Sequence, residues 1–384
     1  MIDFNKMSIL IVDDVQIMRK TMGDMLKVLG YGKKLLYAND GLEAWKILKK
    51  AHIDLAIVDW NMPVMTGMEL LDRIRKDRGL RDMPVIMATA EATREIVAEA
   101  GESDIDSYVV KPFTMKSLGD RILDVIEKAN NPPPMICHLK KARDREEAGD
   151  IDAAVEEAKL AVQAASSSSK PVRELGLLLY KKNDMNMAEE CFLKAVKMNK
   201  LDVLAYHHLG ELYSRQNDIE KAAIYYEKAM SVSPRHISRC ISFGKVLVQK
   251  GMIKEAKKVF NKAIELSDDR LTLQEQISEL CMENEIYDYA IKLMDLILKD
   301  MPTRYDLMFK IGIANEKTGE HSKALRYLTG AGKKDRENIE IRVHIGKNLI
   351  ALGEVLKAEQ VLKTVLKIDP GNEEAKELIG ECAQ

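Results

Sequence analysis

A period of 34 residues fills the chain from residue 135 onward, and it limits the possible folds more than any other feature of the sequence. With position 1 set at residue 135, position 20 is alanine in all seven units: Ala154, Ala188, Ala222, Ala256, Ala290, Ala324 and Ala358. Position 8 is glycine, alanine or serine in every unit. Small residues recur where two helices must cross closely, so each unit is predicted to be a pair of packed helices.

Two further features complete the repeat. After an initial Ala158, position 24 is bulky and should fill the space between neighbours: Phe192, Tyr226, Phe260, Met294, Leu328 and Leu362. A turn signal recurs between the two helices as AGD, KND, QND, KGM, TGE and LGE. These residues resemble the tetratricopeptide repeat family over residues 135–372, which implies an α-helical solenoid of seven units closed by a capping helix at 373–384. The fifth unit, with Ser278 and Ile297, is the expected place for a kink or for packing that depends on a partner.

Residues 1–129 follow a different pattern, in which short apolar runs alternate with amphipathic ones. The runs SILIV, DLAIV, MPVIMA and DSYVV are typical of strands, whereas GLEAWKILKK has helical spacing. Fully apolar strands that alternate with helices indicate a parallel sheet covered on both faces, so an α/β doubly wound fold is predicted. In such a sheet the polar side chains at the carboxyl ends of strands converge in one crevice. These side chains are Asp13, Asp14, Asp59, Thr89 and Lys111.

Three acids at neighbouring strand ends, Asp13, Asp14 and Asp59, would form a strongly negative pocket. Such a pocket is stable only when a divalent cation or a cationic side chain neutralises it, and magnesium suits a set of oxygen ligands. A phosphoryl group at Asp59 would meet the metal, the Lys111 ammonium and the Thr89 hydroxyl, and a carboxylate can serve as the nucleophile in phosphoryl transfer. The structural alternative is that Asp13 and Asp14 cap a helix and that Asp59 is a loop acid ahead of a proline turn.

The motifs that carry this chemistry are VDD at 12–14, DWNMPVMTG at 59–67, ATAEA at 88–92 and YVVKPF at 108–113. Together they resemble the receiver domain of two-component response regulators, in particular the CheY-like chemotaxis regulators, over about residues 6–129. The resemblance implies a (βα)5 parallel sheet with strand order 2-1-3-4-5 and a cis peptide bond before Pro112.

The same resemblance implies a role for each residue of the pocket. Asp59 would be the phosphoacceptor for a sensor histidine kinase, with Lys111 and Thr89 as the cation and the hydroxyl beside it. Tyr108 would be the rotameric switch, although packing is the alternative interpretation of an aromatic residue near a strand end.

The metal ligands come from the resemblance as well. Asp13, Asp14 and Asp59 would bind Mg²⁺ together with the backbone carbonyl of Asn61. Asn61 and Glu91 would flank the phosphoryl group and tune how fast the acyl phosphate hydrolyses. The receiver would thus catalyse only its own phosphorylation and dephosphorylation, and the protein is otherwise not expected to be an enzyme.

Three prolines in the stretch NNPPP, residues 130–134, predict a linker between the two parts. The predicted domains are therefore a receiver at 1–129, this linker, and the repeats from 135 onward.

Charge and cysteine content narrow the classes of function. The chain has 59 Lys and Arg against 61 Asp and Glu, a net charge of −2 that gives no reason to expect nucleic acid or an anionic membrane surface as a partner. The five cysteines have no CxxC spacing and are expected to be reduced. The start of the chain lacks the pattern of a signal peptide and no run reaches the roughly 18 apolar residues of a membrane helix, so a cytoplasmic location is predicted.

A repeat solenoid presents a long groove suited to a peptide or a helix, so the predicted output is protein binding. The predicted groove residues lie on the first helices of the units: Arg173, Tyr180, His207, Glu211, Lys245, Glu279, Phe309 and Lys347. On this hypothesis phosphorylation changes how the receiver sits on the repeats, or on a second subunit of a homodimer, through the face formed by its fourth helix and fifth strand. The alternative is a phosphate sink or kinase regulator whose repeats dock the kinase itself and have no downstream target.

Overall fold

The computed structural model describes residues 1–90, 105–234, 236–267, 269–334 and 337–382. The chain divides into two compact units, Met1–Pro234 and Arg235–Gln384. Within the described ranges, none of the helices combines the length and the apolarity that spanning a bilayer requires.

The first unit begins with a five-stranded sheet in which every pairing is parallel. Its strands are β1 (Ser8–Val12), β2 (Lys34–Ala38), β3 (Leu55–Asp59), β4 (Val85–Thr89) and β5 (Ser107–Val110). Their spatial order is β2-β1-β3-β4-β5. The predicted doubly wound sheet with strand order 2-1-3-4-5 is confirmed.

Helices cover both faces of this sheet: α1 (Gln16–Leu29), α2 (Gly41–Leu48), α3 (Gly67–Lys76) and α4 (Met115–Asn130). Alternate residues of one strand therefore enter two different cores. In β1, Ile9 and Ile11 pack in the core on one face, and Leu10 and Val12 pack in the core on the other. All four are fully buried, which is why the strands read as continuous apolar runs.

The rest of the first unit is helical. Its helices are α5 (Pro134–Glu147), α6 (Ile151–Ala164), α7 (Ser169–Lys181), α8 (Met185–Met198), α9 (Val203–Arg215) and α10 (Ile219–Val232). Since α4 ends at Asn130 and α5 begins at Pro134, the prolines lie at a break between helices, while the predicted domain limits stay predictions.

The second unit is helical throughout its described residues. Its helices are α11 (Ile237–Gln249), α12 (Ile253–Leu266), α13 (Arg270–Glu283), α14 (Tyr287–Asp300), α15 (Tyr305–Lys317), α16 (His321–Ala331), α17 (Ile339–Ala351), α18 (Val355–Ile368) and α19 (Glu373–Cys382). The last helix buries Ala375 against Leu362 and Val365 of α18.

The 34-residue repeat is visible in how the paired helices touch. A Cβ atom added to Gly176 would lie 2.8 Å from the ring of Phe192, and one added to Gly244 would lie 2.2 Å from the ring of Phe260. Both pairs join position 8 to position 24 of the same unit. The predicted close crossing of the two helices is confirmed, because the bulky ring occupies the space that glycine leaves.

The turn between the two helices of each unit also repeats. The backbone is left-handed at position 15 of all seven units: Gly149, Asn183, Asn217, Gly251, Glu285, Gly319 and Gly353. The N–H of the following residue bonds the carbonyl five residues earlier, as Ile286 does to Cys281 at 2.8 Å, which is the Schellman ending of a helix. Glycine and asparagine tolerate this conformation, whereas Glu285 holds it at φ 59° with a longer side chain.

Candidate functional site

Two acids and one lysine meet at the carboxyl edge of the sheet. Asp13 follows β1, Asp59 ends β3, and Lys111 follows β5. The Nζ atom of Lys111 lies 2.6 Å from Oδ2 of Asp13 and 2.5 Å from Oδ1 of Asp59. Asp13 is fully buried and Asp59 is 7% exposed, so the ammonium neutralises two carboxylates that have little access to water.

The loop after Asp59 is held against the strand end by close backbone contact. The N–H of Gly67 donates to the carbonyl of Trp60 at 3.1 Å, and a Cβ atom at position 67 would lie 2.0 Å from the carbonyl oxygen of Asp59. Only glycine fits there. Thr66 and Glu69 then form a capping box that starts α3. The sequence motif included Gly67 at its end, but its positioning role could not be seen without the close approach.

The same loop contains a strained residue. Val64 has φ 68°, a left-handed conformation that is unfavourable for a β-branched side chain. Its side chain is 73% exposed, so packing contributes little to holding it there. The strain lies between the two anchored ends of the loop, Trp60 and Gly67.

Asp13 serves two purposes at once. Its Oδ1 accepts the N–H of Val15 at 2.9 Å in a local turn ahead of α1, while its Oδ2 contacts Lys111. The alternative of helix capping is wrong, because Val15 is the N-cap of α1 and no side chain caps that helix. Its backbone carbonyl accepts a hydrogen bond from Arg19 Nη1 at 2.5 Å. Asp14 is exposed, and its carboxylate is not part of the Lys111 contact.

The position of Lys111 is set by its backbone. Its N–H donates to the carbonyl of Thr89 at 2.7 Å, and the Lys111–Pro112 peptide bond is cis, as expected. Thr89 itself ends β4 and is 2% exposed, so the structure brings the predicted hydroxyl to the same edge as the acids.

The electrostatics of the site favour an additional positive charge. Burial raises the pKa of Asp59, Lys111 opposes that effect, and the charges of Asp13 and Asp14 raise the pKa further. Burial alone would lower the pKa of Lys111, but its bonds to Asp13 and Asp59 leave that pKa above its usual value. The acids are therefore not fully neutralised by one lysine.

The predicted metal site is present in its chemistry but not as a formed cluster. Carboxylate oxygens from Asp13 and Asp59 and an exposed Asn61 in the adjoining loop are the hard donors that Mg²⁺ prefers. In the described part of the chain, however, no three Asp, Glu, His or Cys side chains converge as they would around an ion. Lys111 lies between the two buried acids.

The other predicted residues of the pocket are placed as follows. Tyr108 is half-buried in β5, opposite Met87 of β4, and packs against the core on that face of the sheet. Trp60 is buried beside Asp59. Glu91 lies outside the described residues.

One predicted groove residue needs correction. Arg173 is 6% exposed, with Nη1 2.9 Å from Oδ1 of Asp202 and Nη2 2.9 Å from Oε1 of Glu174. Asp202 is also buried. Arg173 therefore closes an ion pair inside the repeat and does not line an open surface.

Three other groove candidates lie in the compact unit Met1–Pro234 and already contact other side chains: Tyr180, His207 and Glu211. Glu211 lies 2.8 Å from His208 Nδ1 and 3.4 Å from His207 Nε2. Burial would raise the pKa of Glu211, but the bonds from the two histidines hold it well below its usual range. Tyr180 has the guanidinium of Arg215 5.4 Å from its ring centre.

The remaining groove candidates lie in the second compact unit, Arg235–Gln384: Lys245, Glu279, Phe309 and Lys347. Lys245 is exposed. Glu279 and Lys347 form ion pairs of 2.6 Å with Lys310 and Glu374 respectively, and Phe309 packs edge-on against His344. Their role in a partner groove stays a prediction.

The fold and the site together define a class of protein. A doubly wound five-stranded sheet with acids and a lysine at its carboxyl edge, followed by paired helices with a 34-residue period, is a receiver joined to helical repeats.

Comparison with known families agrees. The family model for the response regulator receiver domain matches residues 9–123. Tetratricopeptide repeat models match residues 174–200, 203–236, 237–270 and 317–382.

Known proteins resemble the two parts separately. Chemotaxis protein CheY-3 of Vibrio cholerae is 43% identical over 122 residues, which are 32% of this chain and 93% of that protein. CheY of Pseudomonas aeruginosa is 42% identical over 124 residues, 32% of this chain and 99% of its own. A crystal structure of a tetratricopeptide repeat protein from Parabacteroides merdae covers 65% of this chain and 99% of its own, at 18% identity and a TM-score of 0.40. On the family models and the two CheY relatives, the chain belongs to the response regulator family, as a CheY-like receiver followed by tetratricopeptide repeats.

Proposed function

We propose that Asp59 is phosphorylated by a histidine kinase in a Mg²⁺-dependent reaction and that the repeats bind a protein partner in a phosphorylation-dependent way. The observation that supports this most directly is the Lys111 ammonium, 2.5 Å from a buried Asp59 carboxylate at the carboxyl edge of the sheet. A nucleophilic carboxylate needs a cation close by, because three phosphoryl oxygens bring additional negative charge.

The transfer itself would use few groups. One Oδ atom of Asp59 forms a bond to phosphorus while the bond from phosphorus to the histidine nitrogen of the kinase breaks, and that nitrogen keeps the electron pair and takes up a proton. The Lys111 ammonium, which lies beside the Asp59 carboxylate, would then bond an oxygen of the phosphoryl group. Thr89 ends the neighbouring strand, and its hydroxyl would bond another phosphoryl oxygen.

Asp13, Asp14 and the backbone carbonyl of Asn61 are the groups that would hold Mg²⁺ together with Asp59. When bound, the ion supplies neutralisation of charge on the phosphoryl oxygens. Asp13 would then have to exchange its contact with Lys111 for the metal, which leaves the lysine to the phosphoryl group.

The signal would leave the site through residues that bond or adjoin the phosphoryl group. Thr89 pairs with β5, in which Tyr108 is half-buried, and we expect Tyr108 to exchange between buried and exposed positions on phosphorylation. This is a two-state element that charge at Asp59 can bias. The partner is expected to be a protein or peptide, because the helical repeats offer groove surface and no cluster of catalytic groups was predicted among them.

The first experiment tests the receiver chemistry. The full chain is incubated with a small phosphodonor such as acetyl phosphate and Mg²⁺, and the intact mass and Trp60 fluorescence are followed. We expect a mass gain of one phosphoryl group in the natural chain and none in Asp59→Ala. No gain in the natural chain would overturn the assignment.

The second experiment tests the output. Proteins retained by the immobilised chain are compared with and without beryllium fluoride, an acyl phosphate mimic, with Asp59→Ala as the control. A partner whose retention changes only when Asp59 is present supports the adaptor. A histidine kinase as the sole partner would replace it with the alternative of a phosphate sink.

A further inference from the structure

A short receiver segment contacts the first repeat helix through charged side chains. The segment is residues 77–83, between α3 and β4, and we call it the docking segment. Its backbone is fixed from inside the receiver, since Arg75 Nη1 donates to the carbonyls of Arg81 at 3.0 Å and Met83 at 2.9 Å. Asp77 at its start pairs with Lys49 at 2.6 Å. The segment is therefore a rigid platform and not a free loop.

Two neighbouring residues of the docking segment present opposite charges to α5. Arg81 Nη2 lies 2.9 Å from Asp144 Oδ1, and Arg81 also pairs with Glu147. Asp82 accepts two hydrogen bonds from Arg143 Nη2, at 3.0 and 3.1 Å. The Arg81 side chain is only 10% exposed, so these contacts are partly shielded from water.

The helix has a matching order of charges. Lys140, Arg143, Asp144 and Glu147 are spaced by three and four residues, which places them along one face of α5. The two cations come first and the two acids follow. Lys140 adds a contact of 3.4 Å to Asp82. Sliding the helix by one turn would bring like charges together, so the pattern specifies one register.

A cavity of about 580 Å³ lies beside the ion pairs, with Pro84, Ile105 and Val125 from the receiver and Ile136, Leu139 and Leu177 from the repeats in its lining. Apolar residues of the two sides therefore face a gap where a packed core would have them touch.

The docking segment is remote from the phosphorylation site. It precedes β4 at Val85, whereas the site is at the other end of the same strand, beside Thr89. Because the strands are parallel, Asp59 and Lys111 lie at the carboxyl edge of the sheet and the docking segment lies at the amino edge. The contact leaves the site accessible to a kinase.

We infer that the charged face of α5 is an intramolecular docking site for residues 77–83 of the receiver, so that the first repeat is occupied within the chain and the groove open to a partner begins at the second repeat. This inference goes beyond the proposed function, because it holds whether or not Asp59 accepts a phosphoryl group. The face of the fourth helix and fifth strand that the sequence predicted includes residues outside the described ranges and stays a prediction.

The test reverses the charges of the docking segment in the full chain. Arg81→Glu with Asp82→Lys keeps the net charge and opposes the ion pairs that these two residues make to α5, while Arg78 keeps its own contact of 3.2 Å with Glu147. Hydrogen exchange of peptides covering 77–84 and 134–147 is expected to accelerate at least about fivefold, the lower end of typical coupling between sites. High salt, at about 1 M, should accelerate the same peptides in the natural chain, because it screens exposed charge.

The matched control reverses another ion pair of the receiver. Among the described residues, neither member of this pair contacts the repeats. Asp72→Lys with Lys76→Asp changes the same number of charges in an exposed pair of 2.6 Å. These peptides should exchange as in the natural chain.

Charge exchange on both sides gives the decisive variant. Arg78→Glu, Lys140→Glu, Arg143→Glu, Asp144→Lys and Glu147→Lys are added to the reversed docking segment, so that every ion pair between the segment and α5, including that of residue 78 with residue 147, is restored with inverted signs. Protection should return to within about twofold of the natural chain, since the same pairs are remade. Unchanged hydrogen exchange in the first variant would overturn the inference. Failure of the charge-exchanged variant to recover protection would also overturn it, and this holds even when the first variant does not fold.

Discussion

The lysine that bridges two buried carboxylates gives the sharpest test of how the site is built. Lys111→Met would leave Asp13, which is fully buried, beside Asp59, which is 7% exposed. Removing one partner of a buried ion pair costs about 3–5 kcal/mol, because the remaining charge has neither water nor a counter-ion. The Lys111 side chain is 19% exposed, so water can partly replace it. We therefore expect the free energy of unfolding of the receiver to fall by about 3 kcal/mol near neutral pH.

The deficit should depend on pH with a defined sign. Burial and the adjacent acids already raise the pKa of Asp59, and loss of Lys111 removes the main opposing effect. A carboxyl group whose pKa is higher in the folded state than in the unfolded state binds protons more tightly when folded. The variant should thus be closest to the natural chain in acid and lose stability as pH rises. One linked proton is worth about 1.4 kcal/mol per pH unit, so a deficit of about 3 kcal/mol would develop over roughly two units.

Magnesium should offset part of the same deficit. If Asp13 and Asp59 bind Mg²⁺ in the folded chain only, an ion concentration of about 100 times Kd adds about 2.7 kcal/mol to the free energy of unfolding. The natural chain should gain less than the variant, because its lysine competes for the same carboxylates.

The assay is urea denaturation at about pH 5 and about pH 8, with and without Mg²⁺. The only two tryptophans, Trp45 and Trp60, both lie in the receiver, so their fluorescence reports on it and not on the repeats. Asp59→Asn with Lys111→Met is the control, because one carboxylate fewer removes the repulsion. A double variant as unstable as the single one would refute the argument from paired carboxylates, and so would a deficit that grows in acid.

Three further predictions concern backbone and packing. Val64→Gly should raise the free energy of unfolding of the receiver by about 1 kcal/mol, since it removes a β-branched side chain from a left-handed conformation, and urea denaturation followed by tryptophan fluorescence measures it. Glu285→Gly should stabilise the second unit by about 1 kcal/mol for the same reason, measured by helical circular dichroism on heating, and a lower Tm would contradict it. Gly244→Ala should destabilise that unit by about 1–3 kcal/mol, because the new Cβ would lie 2.2 Å from the Phe260 ring; an unchanged Tm would show that the ring can move aside.

Most of the fold could be predicted because its signals are local. The strands read as continuous apolar runs since both faces are covered, and the repeat period follows from alanine and glycine at fixed positions. Six of the seven turns had a recognisable signal in the sequence. The turn at Glu285 did not, because the backbone there is imposed by the helices on either side and not by the residue itself.

The sequence predicts which residues meet at the site, but it does not predict how their side chains bond. Parallel strands bring Asp13, Asp59 and Lys111 to one edge whatever their side chains do. The contacts of Lys111 Nζ with both Asp13 and Asp59 depend on the side-chain rotamers of all three residues, which spacing along the chain does not contain. Arg173 was assigned to the groove wrongly for a related reason. Its partner Asp202 is 29 residues away in the sequence and is the N-cap residue of α9.

The positions of the two functional contacts set a physical requirement on any switch in this protein. The acids and Lys111 lie at one end of β4, the docking segment begins beyond the other end, and five residues of the strand separate them. Coupling between distant sites is typically about 1–3 kcal/mol. Ion pairs with one solvent-exposed partner, such as Asp144 at 62% exposure, contribute about 0.2–1 kcal/mol each, so the few pairs between Arg81, Asp82 and α5 together fall in the same range. A signal that shifts β4 could therefore release the receiver from the first repeat, whereas a large apolar interface would have required far more energy than one phosphoryl group can redirect.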